Sequence, residues 1–475
     1  MADRRANRAG GAARAAIATE GPPVLHARHQ ARPWLTLAAA SGALGLSVLD
    51  ETIVGAALPT IRAELALSAV EAHWVVNAYL LTLACLVAIG GRLGDVLGHR
   101  RLFVYGAAAF AVASVVGALS GSGPFLIGAR ALQGVGTALM FPAALAMVTQ
   151  AYPPERRGVA FGVQTTVAAI FMAGGPFLGG LLTEVLNWRW IFWINPLPVL
   201  VLVVAALAAG TPEESGDDPA VAKPTGSLDL PGVATLTVGL TALVVALMQS
   251  DGWGWTASGT LVLLAVGIVS LVAFFLVEAR VAAPIFQLEL FRAPAFNGGN
   301  LVFFVFQANK MITFVFVVQY LQAVPGLPPV AAGAMVATAI LPTLITSVLA
   351  GHAADRLGSR LPLLAGLALN GGALVLAGVV MRQGDYAAIG WVLPAWGATL
   401  PFLAVTSRRA LMSAAPVELR GQAGGVNLTI QMLGGTMGIA LASTLLADGA
   451  GYGVLFMATG AVTLGTIAGA WSLIR

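Results

Sequence analysis

The chain has 475 residues, of which 58% are hydrophobic and only 10% are charged, against roughly a quarter charged in ordinary soluble domains. This composition excludes an ordinary soluble protein and indicates one that crosses a lipid bilayer many times. The net charge of +4 is explained by membrane topology, because cytoplasmic loops carry an excess of Lys and Arg. We therefore expect no nucleic-acid partner.

The N-terminal segment 1–33 carries six arginines, and its apolar stretches are short and interrupted by charge. It lacks the uninterrupted apolar region of a secretory signal peptide. The segment is therefore predicted to be a basic cytoplasmic tail.

Apolar runs of about 20 residues, long enough to cross a bilayer as helices, recur along the rest of the chain. They predict fourteen transmembrane helices, called spans 1 to 14 below. The predicted ranges are 34–59, 71–90, 102–120, 125–150, 159–183, 190–210, 230–250, 259–277, 297–322, 331–351, 361–381, 387–407, 422–446 and 453–473.

The arginines between these spans are distributed unequally. With a cytoplasmic N-terminus, twelve fall on the cytoplasmic side and three, Arg62, Arg189 and Arg382, fall outside. Cytoplasmic loops carry an excess of Lys and Arg. The pattern predicts a multi-pass protein of the cell membrane with both termini in the cytoplasm, and it supports an even number of spans.

Two pairs of segments show that the ends of the chain resemble each other at an offset of about 260 residues. "PPERRGVAFG" (153–162) matches "PVELRGQAGG" (416–425), and "GRLGDVLGHRR" (91–101) matches "GHAADRLGSR" (351–360). Two parallel repeats of six spans around a central site are a known transporter plan. The chain is thus predicted to hold two homologous halves.

The predicted boundaries follow from this repeat. They are a tail (1–33), an N-terminal six-helix bundle (34–210), an acidic linker (211–229), an inserted helix pair (230–277), a cytoplasmic connector (278–296) and a C-terminal six-helix bundle (297–475).

Four motifs in order carry a family resemblance: "LDETIVGAALP" (49–59), "GRLGDVLGHRR" (91–101), "RALQGVGTALMFP" (130–142) and "GGPFLGG" (174–180). The chain resembles the major facilitator superfamily, and within it the fourteen-span branch of drug:proton antiporters. It departs from the family pattern at Gly55, where asparagine is usual, at Phe171 and at His99.

The resemblance implies an all-α membrane protein with the major facilitator fold: two pseudo-symmetric six-helix bundles plus two inserted helices. It implies a monomer in the lipid bilayer that exchanges protons for small-molecule substrates such as drugs or antibiotics, without a cofactor. Uptake by proton symport and facilitated diffusion of a metabolite remain as alternatives.

Asp50 is an acid in an apolar span, where a charge is expensive. Desolvation and a nearby cation change the pKa of such a carboxyl in opposite directions. The carboxyl can therefore exchange a proton as its surroundings change. Arg130 in span 4 is expected at a similar depth. We expect Asp50 to carry the coupling proton under the influence of Arg130, roles that the resemblance also assigns; a permanent structural ion pair is the alternative.

Glu51 points about 100° away from Asp50 around the helix, and it either attracts cationic substrates in the cavity or packs against a polar partner. Lys310 is the one lysine within a predicted span. Its expected partner is Asp50 or Glu51 across the cavity, or a carbonyl-rich or anionic substrate. The alternative is that the side chain extends toward one membrane–water interface and places its ammonium group there.

Further polar and aromatic residues are candidates for the wall of an apolar pocket that accepts bulky amphipathic molecules. They are Trp74, Asn77, Tyr79, Gln164 and Gln431.

Two motifs indicate mechanical roles. In the family, the loop with Gly91, Arg92, Asp95, Gly98 and Arg101 acts as a cytoplasmic latch between the halves; a solvated charged loop is the alternative. In span 5, Pro176 removes a backbone hydrogen bond, and glycines allow close helix approach. A hinge is therefore predicted at Gly174, Gly175, Pro176, Gly179 and Gly180, with a simple close contact as the alternative.

Other function classes lack support in the sequence. The two lysines, Lys223 and Lys310, do not follow a glycine, so the phosphate-binding loop of an ATPase is absent. The five histidines lie in the tail or near predicted loops, so neither a metal site nor an enzyme is predicted.

Overall fold

The computed structural model describes residues 32–210, 229–281, 284, 286–416, 419–447 and 449–474. The predicted tail lies outside the described residues apart from residues 32 and 33, and the predicted acidic linker lies outside them apart from Asp229. The described part of the chain is helical with short connections and contains no strand. The predicted all-α fold class is confirmed.

The helices follow the predicted order of spans. Spans 1 to 6 are Pro33–Glu64, Ala69–Leu97, His99–Ala118, Gly123–Ala151, Pro154–Val185, and the helices Trp190–Trp193 and Pro196–Ala208 together. The inserted pair, spans 7 and 8, is Leu230–Trp253 and Ser258–Glu278, followed by a 3-10 helix at Leu288–Arg292. Spans 9 to 14 are Pro294–Ala323, the helices Pro329–Ala337 and Thr343–Leu357 together, Arg360–Gln383, Tyr386–Ala414, Arg420–Ala447 and Tyr452–Leu473.

Span 10 differs from the uninterrupted helix that the sequence predicts. Thirteen of the described helical segments are long and apolar enough to cross a membrane, and span 10 is absent from that set because turns at residues 338–342 divide it. Pro342 lies at the break. Its missing N–H and fixed ring explain why an apolar run of suitable length does not form one helix.

Several helices extend beyond their predicted ranges. Span 1 continues to Glu64 and span 12 to Ala414, five and seven residues past the predicted ends. A helix satisfies its own backbone hydrogen bonds, so it can continue past the apolar core into the interface at little cost. Arg408 and Arg409, expected in a loop, therefore lie on the last turns of span 12.

The spans alternate in direction, which divides the bundle into two ends. The Glu64 end holds the connections 65–68, 119–122, 186–189, 254–257, 324–328 and 384–385, and the described residues 449–451. The Leu97 end holds residue 98, residues 152–153, the described residues of the connector between spans 8 and 9 (279–281, 284 and 286–293), residues 358–359, and residues 415, 416 and 419.

The two halves meet along two seams. At one seam span 5 packs against span 10, where the Pro329 carbonyl oxygen lies 2.3 Å from the position that a Cβ on Gly180 would occupy. At the other seam span 2 packs against span 13. The inserted pair covers this second seam, because Met248 contacts Asn77 of span 2 and the Leu247 carbonyl accepts a hydrogen bond from Thr444 of span 13.

Large apolar side chains cover the outside of the bundle. On span 8 alone, Val262, Ile268, Val269 and Val272 are all more than half exposed. A contiguous apolar surface of this kind is unsuited to water and matches the hydrocarbon of a bilayer.

Candidate functional site

A buried ion pair lies in the middle of the N-terminal half. Asp50 of span 1 accepts a charge-assisted hydrogen bond from Arg130 Nη1 of span 4, and both side chains are fully shielded from solvent. Arg130 Nε also donates to the Val75 carbonyl of span 2, at 3.0 Å, and its guanidinium lies 4.5 Å from the centre of the Tyr79 ring. Spans 1 and 2 thus fix the orientation of the arginine.

Three neutral side chains complete this network. Gln133 and Asn195 both donate to Asp50 Oδ1, at 3.2 Å each. The hydroxyl of Ser114 accepts from both amides, at 2.9 and 3.3 Å. The charged network therefore connects spans 1, 3, 4 and 6 of one half.

The C-terminal half contains a corresponding network without charge. Asn309 of span 9 donates to Asn370 of span 11, at 3.1 Å, and to Thr463 of span 14, at 2.9 Å. Asn370 donates to Thr399 of span 12, at 2.7 Å. Spans 9, 11, 12 and 14 are the repeat equivalents of spans 1, 3, 4 and 6, so the two halves hold matched polar centres of different charge.

A second charged pair joins the two halves at the same depth. Lys310 Nζ lies 3.2 Å from Glu51 Oε1, which also accepts a hydrogen bond from Gln307 Nε2. Gln431 of span 13 donates to Gln307 Oε1, at 3.2 Å. Of the two carboxylates that the sequence offered as partners for Lys310, the structure selects Glu51.

The other predicted pocket residues do not form one cluster with this pair. Tyr79 belongs to the Asp50 network. Asn77 donates to Met248 of the inserted pair, and Trp74 lines an apolar groove between spans 2, 4 and 7. Gln164 of span 5 is 1% exposed, and neither atom of its amide has a hydrogen-bond partner among the described residues.

Three of the four glycines of the predicted hinge are sites of close helix contact. Span 5 is one continuous helix through Pro176. A Cβ on Gly175 would lie 1.9 Å from the Thr52 hydroxyl of span 1, and one on Gly179 would lie 2.4 Å from the Ile53 carbonyl. Gly180 faces span 10, whereas a Cβ on Gly174 would meet only an ordinary contact at 3.7 Å.

The predicted latch residues lie at the Leu97 end. Arg92 Nη1 donates to the carbonyl of Pro284 in the connector, at 3.4 Å, and Asp95 lies 3.3 Å from His99. Gly98 has a φ of +88°, which permits the sharp turn between spans 2 and 3. Gly91 is half-buried and Arg101 exposed. The repeat equivalent of Asp95, Asp355, forms an ion pair with Arg409.

Sequence reasoning missed Ser114, Gln133 and Asn195. Gln133 follows Arg130 by three residues and therefore lies on the same helix face, which is a usable signal. Asn195 stands at the end of the "WRWIFWIN" segment, next to Pro196. Ser114 lies in a run of small apolar residues and offers no signal in the sequence.

Within the described ranges, no group of three or more His, Cys, Asp or Glu side chains could hold a metal ion. Two six-span repeats with paired charges at mid-depth define a secondary transporter. Comparison with known proteins agrees: the model of the Major Facilitator Superfamily matches residues 40–289 and 299–475. The chain belongs to the Major Facilitator Superfamily and is a multi-pass membrane transporter of small molecules.

Two similar proteins and one solved structure illustrate this membership. The tetracenomycin C resistance and export protein of Streptomyces glaucescens is 32% identical over 88% of this chain and 77% of its own length. The multidrug resistance protein Stp of Mycobacterium tuberculosis (strain CDC 1551 / Oshkosh) is 33% identical over 87% of this chain and 76% of its own length. The crystal structure of a D-xylose-proton symporter shares the fold, with a TM-score of 0.67, 13% identity, and coverage of 94% of this chain and 98% of the other.

Proposed function

We propose that the chain exports drugs, antibiotics or other amphipathic small molecules across the cell membrane in exchange for protons, by alternating access of its two halves. Asp50 carries the coupling proton, and Arg130 adjusts how readily this carboxyl binds it. The observation that supports this assignment most is the difference in charge between the two matched polar centres. The relatives named for antibiotic export and multidrug resistance support the direction and the substrate class.

The neutral network of the C-terminal half bears on the alternative of a purely structural ion pair. There, Asn309, Asn370, Thr399 and Thr463 join the four corresponding spans with amides and hydroxyls. A centre of this kind does not need an ion pair in order to hold its helices together. A charged residue at the bilayer centre costs about 2.5–3.5 kcal/mol on insertion scales, so its presence at Asp50 favours a role in transport.

The contacts between the halves support a state in which the Glu64 end is closed. Glu184 accepts a hydrogen bond from the Val330 backbone N–H, at 3.1 Å, and Gln322 donates to the Ala56 carbonyl, also at 3.1 Å. The arginine distribution favours an external position for this end. The substrate path is then closed toward the exterior, and substrate enters it from the cytoplasm. The contacts of span 5 with span 10 belong to this closure, and the latch between the halves at the Leu97 end would form in the opposite state.

An efflux measurement tests the proposal. Cells that express the chain should accumulate less ethidium than cells without it, and a protonophore should abolish the difference. Greater accumulation would instead indicate a symporter that takes up its substrate. A difference that persists with the protonophore would indicate a facilitator or another energy source.

The orientation is tested by two matched cysteines in a Cys85→Ala background. Ser122 lies at the Glu64 end and Ser472 near the other end of the bundle, and both are exposed. We expect a membrane-impermeant maleimide to label Ser122→Cys in intact cells and Ser472→Cys only after permeabilisation. The reverse pattern would place the N-terminus outside and contradict the proposed direction of transport.

A further inference from the structure

The Glu51–Lys310 bridge, defined as this ion pair together with Gln307, connects the first span of one half to the first span of the other. The two charged side chains are only 7% and 6% exposed, respectively. By contrast, every polar partner found for Asp50 belongs, among the described residues, to the N-terminal half. The neighbouring acids Asp50 and Glu51 therefore have their polar partners in different halves of the molecule.

The repeat places the bridge on the pseudo-symmetry of the molecule. Asn309 takes part in the polar network of its half, as Asp50 does in its own, and the two are 259 residues apart. Lys310 and Glu51, the next residue in each half, are separated by the same 259 residues. An acid and a base thus occupy equivalent positions and face each other where the halves meet.

A rocking motion of the halves affects these acids differently. Asp50 and Arg130 lie in the same half, so they can move together. The bridge joins span 1 to span 9, and its neighbours toward the Glu64 end also connect these spans: the Phe314 carbonyl lies 3.3 Å from the position of a Cβ on Gly55, and Gln322 contacts Ala56. Separating the halves at the Glu64 end must pull span 9 away from span 1 and lengthen the bridge.

We propose that Glu51 is a proton-binding site separate from Asp50, and that its protonation releases Lys310 and opens the Glu64 end. This inference rests on the proposed alternating-access function. In the open state, the Glu51 carboxylate forms an O–H bond with a proton from water in the cavity, while Lys310 keeps its charge and is hydrated there. On closure the proton returns to water, and the carboxylate pairs again with the ammonium.

The charged and titratable groups around Glu51 identify Lys310 as the partner that responds to the movement of the halves. Span 4 presents Arg130, which is paired with Asp50, and span 2 presents Tyr79 beneath that arginine. Spans 9 and 13 present Lys310 and the neutral amides Gln307 and Gln431. Span 5 meets span 1 through glycines, and at Gly175 the neighbour is Thr52. Lys310 is thus the cation that approaches or leaves when the halves move.

The experiment measures opening of the Glu64 end as a function of pH, without any substrate. Spin labels on Leu186→Cys and Val324→Cys, exposed positions in opposite halves at this end, report the distance by double electron–electron resonance in lipid nanodiscs. Cys85→Ala removes the native thiol. One proton bound only in the open state changes the open-to-closed ratio by about tenfold per pH unit. We therefore expect the open population to increase as the pH falls, with a slope that does not exceed this value.

Five variants separate the possible results. Glu51→Gln and Lys310→Gln should be open across the whole pH range, and the exchanged pair Glu51→Lys with Lys310→Glu should recover the pH-dependent closure. Glu64→Gln neutralises an acid on the same helix whose partner, Arg189, belongs to the same half, and it should behave as the parent protein. Asp50→Asn should keep the pH-dependent opening.

A Glu51→Gln protein that still closes with the parent pH dependence would overturn the inference. So would an exchanged pair that remains open at every pH. If Asp50→Asn alone removes the pH dependence, Asp50 is the switch, and the inference fails while the proposed function stands. If instead Asp50→Asn pumps normally in the efflux assay, the proposed role of Asp50 fails independently of the bridge.

Discussion

The Asp50→Asn variant should insert into the membrane and lose all proton-driven export, so that its ethidium accumulation equals that of protonophore-treated cells. The amide cannot bind and release a proton at physiological pH. It can still accept a hydrogen bond from Arg130 and occupy the space between Gln133 and Asn195. The measurement is ethidium efflux in cells with matched amounts of protein in the membrane.

One physical complication is the charge that Asp50→Asn leaves behind. Removing one partner of a buried ion pair typically destabilises a protein by about 3–5 kcal/mol. The double variant Asp50→Asn with Arg130→Gln avoids this penalty, since it converts the centre into a neutral network like that of Asn309 and Asn370. We expect the double variant to fold and to exchange ethidium down its gradient, without concentrating it.

The two variants together distinguish a transport role from a structural one. If the ion pair only stabilises the bundle, the double variant should pump at a rate close to that of the parent protein. Active export by either variant against an ethidium gradient would contradict the assignment of the coupling proton to Asp50.

Much of the fold was predictable because hydrocarbon imposes a simple rule on the sequence. Each span needs about 20 apolar residues, and the arginine distribution together with the repeat indicated an even number of spans. The division of span 10 was not predicted, because residues 331–351 are apolar on both sides of Pro342 and hydropathy does not report local backbone geometry.

The charged residues of the site were recognisable for a related reason. Asp50, Glu51 and Lys310 stand out against apolar neighbours, where a charge requires a partner. Their pairing was not decided by the sequence: Lys310 could meet either acid. The structure separates the two acids because the 100° step between them turns Asp50 toward Arg130 and Glu51 toward span 9.

Neutral polar residues were harder to place. Asn77 and Trp74 were expected in the central pocket, and the structure places them toward span 7 and the groove beside it. A helix in this bundle has polar neighbours on more than one side, because the inserted pair covers the seam of spans 2 and 13. A lone asparagine therefore does not reveal which neighbour its face meets.

The Gly180→Ala variant should shift the transporter strongly toward an open Glu64 end. A methyl group on Gly180 would lie 2.3 Å from the Pro329 carbonyl oxygen, and a Cβ on Gly333 would meet the Pro176 carbonyl at 2.1 Å in the same seam. Overpacking of this kind costs about 1–3 kcal/mol. Because the cost applies only while spans 5 and 10 touch, the closed population should fall relative to the open one by about 5- to 150-fold.

Distance measurements between labels on Leu186→Cys and Val324→Cys give the populations, and ethidium efflux gives the functional loss. Gly174→Ala is the matched control, because its added Cβ would meet only Leu178 at 3.7 Å. Both substitutions raise helix propensity by a similar amount. A difference in closed population between the two variants is therefore due to the contact of spans 5 and 10. An unchanged closed population in Gly180→Ala would show that the contact of spans 5 and 10 does not control closure.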